Sequence, residues 1–223
     1  VNSTWSTTGL VGWWKFDEVS GTVATDSTGN GNHGTLTNGP TWTQGKVDGA
    51  LNFDGVNDLL KLPHTILNGK TAFTFSCWAE IPSSGLSTEN SFLTGANSVR
   101  TNEIFYKLHS DQDFTVYDRN VILAGGASVE GAGFWADTWR LVSLVRKPGS
   151  TVLYLDGDSV KSFSHTTEAI SIENNGLWIG SDQDSLGGGW ETSQFLTGKL
   201  DDVRIYDRAL SAEEIQALYQ SGN

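Results

Sequence analysis

The chain has no methionine, one cysteine and four prolines in 223 residues, and only 14 lysines and arginines against 26 aspartates and glutamates. Each shortage closes off an option. With Cys77 alone, no intrachain disulfide forms, and its place in the run AFTFSCW reads as a small core hydrophobe. A chain of this length buries enough apolar surface without such staples, so secretion stays compatible with one buried thiol. Scarce proline and no run of like charge leave no linker, and turn-rich stretches recur evenly, so 1–223 reads as a single domain. No apolar run approaches the roughly 18 residues of a membrane-spanning helix, which argues against membrane insertion. No leader is recognisable at Val1, and the lack of methionine points to a mature or excised segment. The net charge of -12 repels phosphate backbones and excludes nucleic acid as a partner. The same surplus suits solubility and divalent cations, although a solvated acidic surface is the commoner cause.

What is present is a series of short runs with period-two alternation. They comprise residues 10–16, 50–53, 59–62, 72–81, 103–108, 114–118, 139–147, 150–157, 176–180 and 199–207, rich in aromatic and β-branched residues and bounded by turns such as FDGVND, KPGS and LDGD. Their number and spacing predict an all-β, two-sheet antiparallel β-sandwich rather than a parallel sheet with helical crossovers. One helix is expected: Ser211 and Glu214 form an S-x-x-E capping box before IQALY, predicting a short helix over 212–220.

The stretch IGSDQDSLGGGWETSQFLTG, from Ile179 to Gly198, gathers carboxylates and amides around a Gly-Gly-Gly turn. Ca²⁺ takes about six to eight oxygen ligands, from carboxylates, amide oxygens and backbone carbonyls alike. Asp182, Gln183, Asp184, Glu191 and Gln194 offer that mixture, and an extended backbone would aim Asp182 and Asp184 the same way with the Gln183 carbonyl between them. The plainer possibility is a polar turn between strands.

The order GLVGWWKFDE, DSTGNGNHGT, ALNFDGVND, YLDG and GKLDDVRIYDRALSAEEI resembles the laminin-G-like, concanavalin A-like jelly-roll domains of secreted bacterial proteins, over almost the whole chain. From Phe92 to Ile215 it is also similar to pentraxins, whose QDSxGGxxExSQ loop holds a pair of Ca²⁺ ions. That resemblance implies that Asp182, Asp184 and the Gln183 carbonyl contact a first ion, and that Glu191 and Gln194 complete a second. A distant Asp-Asn pair of the family matches Thr101-Asn102, so Asn102 joins the ligand set while one carboxylate is missing. It further implies an outward-facing site that captures ligand oxygens, with Lys107, Arg119 and Asn120 nearby. Lysine in place of an aromatic wall disfavours phosphocholine and favours an anionic or hydroxylated glycan.

A second cation candidate pairs Asp201, in DDVRIY, with Asp26, by similarity to a structural cation on the convex face of jelly-roll glycanases. The alternatives are an Asx turn for Asp26 and a salt bridge from Asp201 to Arg204 or Arg208. Of nine tryptophans, Trp14, Trp139 and Trp178 read as core, whereas Trp190, in the Gly-rich loop, reads as exposed and free to stack on a sugar. The E-x-D-x-x-E strand of related glycanases is absent, as are a G-x-S-x-G elbow and paired metal-type histidines. The expectation is therefore a non-enzymatic, Ca²⁺-dependent lectin or adhesin module of a larger extracellular protein. A polysaccharide lyase or hydrolase and a Ca²⁺-stiffened spacer are the alternatives.

Overall fold

The computed structural model describes residues 5–100, 103–110, 113–119, 121–122 and 135–222. Among these described residues there are sixteen strands and one α-helix. The first eight strands are β1 (Leu10–Trp14), β2 (Val23–Ala24), β3 (Gly34–Thr37), β4 (Thr41–Gln44), β5 (Gly49–Asp54), β6 (Leu59–Lys61), β7 (Phe73–Glu80) and β8 (Asn90–Gly95). The rest are β9 (Ile104–Leu108), β10 (Phe114–Asp118), β11 (Val121–Ile122), β12 (Trp139–Lys147), β13 (Ser150–Leu155), β14 (Asp158–Ser164), β15 (Leu177–Ile179) and β16 (Thr197–Tyr206), followed by α1 (Ala212–Ser221).

The strands form two antiparallel sheets. One runs β14-β13-β12-β7-β16-β5-β4, with β1 also paired to β16, and the other β11-β10-β9-β8-β15-β6-β3-β2. Alternation explains the packing. In β7, Phe73, Phe75, Cys77 and Ala79 enter the core between the sheets, while Trp78 turns to the opposite face and joins Leu141, Tyr206, Ile215 and Leu218 beneath α1. Trp78 thus lines the outer face, roofed by the helix, and Tyr219 packs on it at 5.7 Å between ring centroids.

The helix starts at the expected cap. Ser211 accepts from the Glu214 amide while Glu214 reaches back to the Ser211 amide, so two otherwise unpaired donors are satisfied at once. Cys77 is wholly buried, and burial pushes its thiol far above the usual range. Strand β16 pairs with β5 through Thr197–Leu200 and with β1 through Val203–Tyr206. Between these halves its register against β7 slips from Asp201 to Arg204, and Asp202 adopts φ 54°. This bulge leaves Asp201 as the last paired residue, opposite Trp78, and takes Asp202 out of the regular ladder.

Candidate functional site

The 180–196 loop leaves the second sheet at Gly180, whose φ of 112° only glycine adopts readily. The bend ends the extended backbone, so the expectation that Asp182 and Asp184 share one face does not hold. Asp182 is buried and Asp184 is exposed. The loop is firmly built. The Gln183 side chain is fully buried; its Nε2 donates to Thr94 Oγ1 and to the Gly176 carbonyl, and its Oε1 accepts from the Gly187 amide at 2.9 Å. Gln183 thus pins the loop with its side chain and leaves only its backbone carbonyl as a possible ligand. Ser185 and Gly188 exchange backbone hydrogen bonds across the tight turn.

Trp190 corrects another expectation. It is half-buried and sits edge-on to Trp178 at 5.4 Å, beside Leu59 and Phe195. Apolar contact there anchors the loop, because the indole covers surface that would otherwise meet water.

Around Asp182 the charges are mixed. Burial, the main cause, raises its carboxyl to about 6 despite a hydrogen bond from the Gln183 amide; Asp184 and Glu89 add to the rise and Lys107 opposes it. Lys107 is buried, and its Nζ lies 2.5 Å from Glu89 Oε2, while Glu89 Oε1 is 3.0 Å from His109 Nδ1. Glu89 was missed by sequence reasoning. The cross-strand register that sets Ser91 opposite Lys107, and the Glu89 amide bonded to the Ser193 carbonyl, bring it there. Gln194 Oε1 is buried without a hydrogen-bond partner among the described residues. Glu191 is exposed. Asn102 and Asn120 lie outside the described residues.

Hard-cation chemistry suits these donors: carboxylates of Asp182 and Asp184, the Gln183 carbonyl and an orphaned amide oxygen on Gln194. Among the described residues, however, no three His, Cys, Asp or Glu side chains converge in metal-holding geometry.

Arg119 stands apart from this loop. Its guanidinium pairs with Glu168 at 2.7 Å and with Glu103 at 3.5 Å, and donates to the Ala169 carbonyl. Asp26 and Asp201 are held by separate hydrogen-bond partners. Asp26 spends its oxygens on its own loop, accepting from the Trp13, Thr28 and Asn32 amides and the Thr28 hydroxyl. It is the Asx-turn reading that holds. Asp201 is fully buried, with Oδ2 on the Val47 amide and Oδ1 unpartnered among the described residues. Arg204 bonds Asp202 rather than Asp201.

A family model for the concanavalin A-like lectin/glucanase superfamily, laminin-G type, matches residues 54–216. The chain belongs to that superfamily. Curated relatives include C-reactive protein of Sus scrofa, 34% identical over 91 residues (38% of this chain, 36% of that protein), and of Rattus norvegicus, 38% identical over 71 residues (32% and 31%). The chain thus matches about a third of the length of those relatives. Among solved structures, domain 4 of AbnA, an extracellular arabinanase from Geobacillus stearothermophilus solved with arabinotriose, superposes with a TM-score of 0.71 at 20% identity, covering 96% of this chain and all of that one. A SAP-like pentraxin from Limulus polyphemus superposes with a TM-score of 0.55 at 19% identity, covering 67% and 70%. At these identities the superpositions establish the jelly-roll fold.

Proposed function

We propose that this chain is a Ca²⁺-dependent carbohydrate-binding module, with a lectin or adhesin role, carried by a larger extracellular protein. The observation that carries the reading is the 182–194 loop itself: a buried carboxylate pushed up to about 6 beside two further acidic groups, with an orphaned Gln194 acceptor in the same rigid loop. Both features are costly without a cation and are relieved by one. Asp182, Asp184, the Gln183 carbonyl, Glu191 and Gln194, with Asn102, would hold the ion. Ca²⁺ bound there would offer open coordination positions to glycan hydroxyl or carboxylate oxygens.

This chain's own residues do the remaining work. Gln183 and Trp190 hold the loop in place, and the Lys107–Glu89 pair sets the charge beside it. The arabinotriose held by the AbnA domain supports a glycan partner, and the extracellular arabinanase to which that domain belongs supports an extracellular setting. No helix among the described residues is long and apolar enough to cross a membrane.

Glycan-array binding, measured in Ca²⁺ and again in EDTA, tests the reading. Chelation should abolish binding, and Asp184→Ala should weaken it by about tenfold or more, because carboxylate count tunes Ca²⁺ affinity. Binding that survives EDTA overturns the mechanism. Release of reducing or unsaturated ends from a polysaccharide would instead mark an enzyme, and Ca²⁺-induced thermal stabilisation without any glycan bound would mark a structural spacer.

A further inference from the structure

A second cavity opens between the edges of the two sheets. It has a volume of about 520 Å³ and is lined by Arg100, Asp118, Arg119, Ser164, His165 and Glu168, among others. The strands explain its position. Asp118 ends β10 in one sheet, and Ser164 ends β14 in the other. The size falls in the range of small-molecule sites, about 300–1,000 Å³.

The wall of this cavity carries an unmet demand. Asp118 is buried, with Oδ2 held by Arg146 Nε at 2.6 Å, and Arg146 is itself fully buried, donating onward to the Thr71 and Glu168 carbonyls. Asp118 Oδ1 has no hydrogen-bond partner among the described residues. A buried charged oxygen left bare costs free energy, and a donor arriving from the cavity removes that cost. His165 cannot be that donor, since its Nδ1 faces the Thr166 carbonyl at 2.7 Å and its Nε2 the Thr151 hydroxyl at 3.1 Å.

Charge decides the class of ligand. Arg100, Arg119 and Arg146 are matched by Glu103, Asp118 and Glu168, with Glu103 within 3.6 Å of both Arg100 and Arg119. A charged ligand would unbalance the set. A neutral polyol does not: one hydroxyl donates to Asp118 Oδ1, while others accept from Arg100 or exchange hydrogen bonds with Ser164 and Thr166 at the mouth.

We propose that this cavity is a second, Ca²⁺-independent subsite for a neutral sugar. It shares no residue with the 182–194 loop, so the two readings stand or fall separately.

The test follows the His165 ring ¹⁵N resonances by NMR in EDTA, while L-arabinose, D-galactose, myo-inositol and, as a charged counterpart, D-glucuronate are added one at a time. At least one neutral probe should give a saturable shift. Thr166→Trp, an exposed position at the mouth, should abolish that shift while leaving Ca²⁺-dependent array binding unchanged. Asp118→Ala should abolish it too, but it leaves Arg146 unpaired and is interpretable only if folded, which is why the Thr166 variant is the deciding one. No shift with any neutral probe, a shift with glucuronate alone, or a shift that survives Thr166→Trp overturns the proposal.

Discussion

Asp201 is a carboxylate buried beside other carboxylates, with one oxygen unpaired among the described residues. Burial is the main cause of its rise to about 7, with Asp202 and Asp17 adding to it against the Val47 and Lys46 amides. The sign follows from linkage. In EDTA the folded protein keeps a proton on Asp201 that the unfolded chain releases near the usual aspartate value of about 3.9, so stability falls as pH rises through the window between that value and about 7. Asp201→Asn is expected to flatten this part of a urea-denaturation pH profile; an unchanged slope counts against the assignment. Gly187 is a second residue-scale case. Its φ of 67° and the Asn175 amide 1.8 Å from where a Cβ would sit leave room only for glycine. Gly187→Ala should destabilise by about 1–3 kcal/mol in urea titration, from backbone strain alone before the clash is counted. The oxygen-rich loop was legible from residue types and spacing, as was the turn at Asp26. Glu89 was not, because its part in the site depends on a strand pairing that no local pattern announces.

At the scale of elements, the helix was read from four residues. Ser211→Ala should cost about 1 kcal/mol of unfolding free energy, since one side chain satisfies an otherwise orphaned amide. The measurement is a denaturant midpoint shift with unchanged slope. Ten strands were legible and six were not: β2, β3, β4, β8, β11 and β14. Most of these are only two to four residues long, too short for alternation to emerge. In β8 every residue is buried, including Asn90, Ser91 and Thr94, so its NSFLTG carries no polar face to read. The bulge in β16 was legible only in part. Asp201-Asp202 puts two polar residues between the core positions Leu200 and Val203 and breaks the period of two, but that the strand pairs with β5 before the break and with β1 after it shows only in the structure.

For the whole molecule, the chain's two ends meet: β1 pairs with β16, and β16 also lies against β7. Such distant pairings must close large loops before they are rewarded, so stopped-flow refolding is expected on a timescale of roughly milliseconds to seconds, slower than for helical bundles. Microsecond refolding would contradict this topology. The helix closes the other side by roofing Trp78 and Tyr206. Ile215→Ala beneath it should cost about 2–5 kcal/mol and red-shift the tryptophan fluorescence, as a cavity opens next to the indole. By itself the sequence determined the sheet class, the capped C-terminal helix and the oxygen-rich loop, because alternation, capping and ligand chemistry are local properties. Only tertiary structure decided that Asp182 is buried while Asp184 is not, that Lys107 belongs to Glu89, that Asp26 turns its oxygens on its own loop, and that Asp118 lines a cavity with one oxygen bare among the described residues. Each of these depends on which strands lie side by side, and burial and partnership arise only when residues far apart in the chain exclude water together.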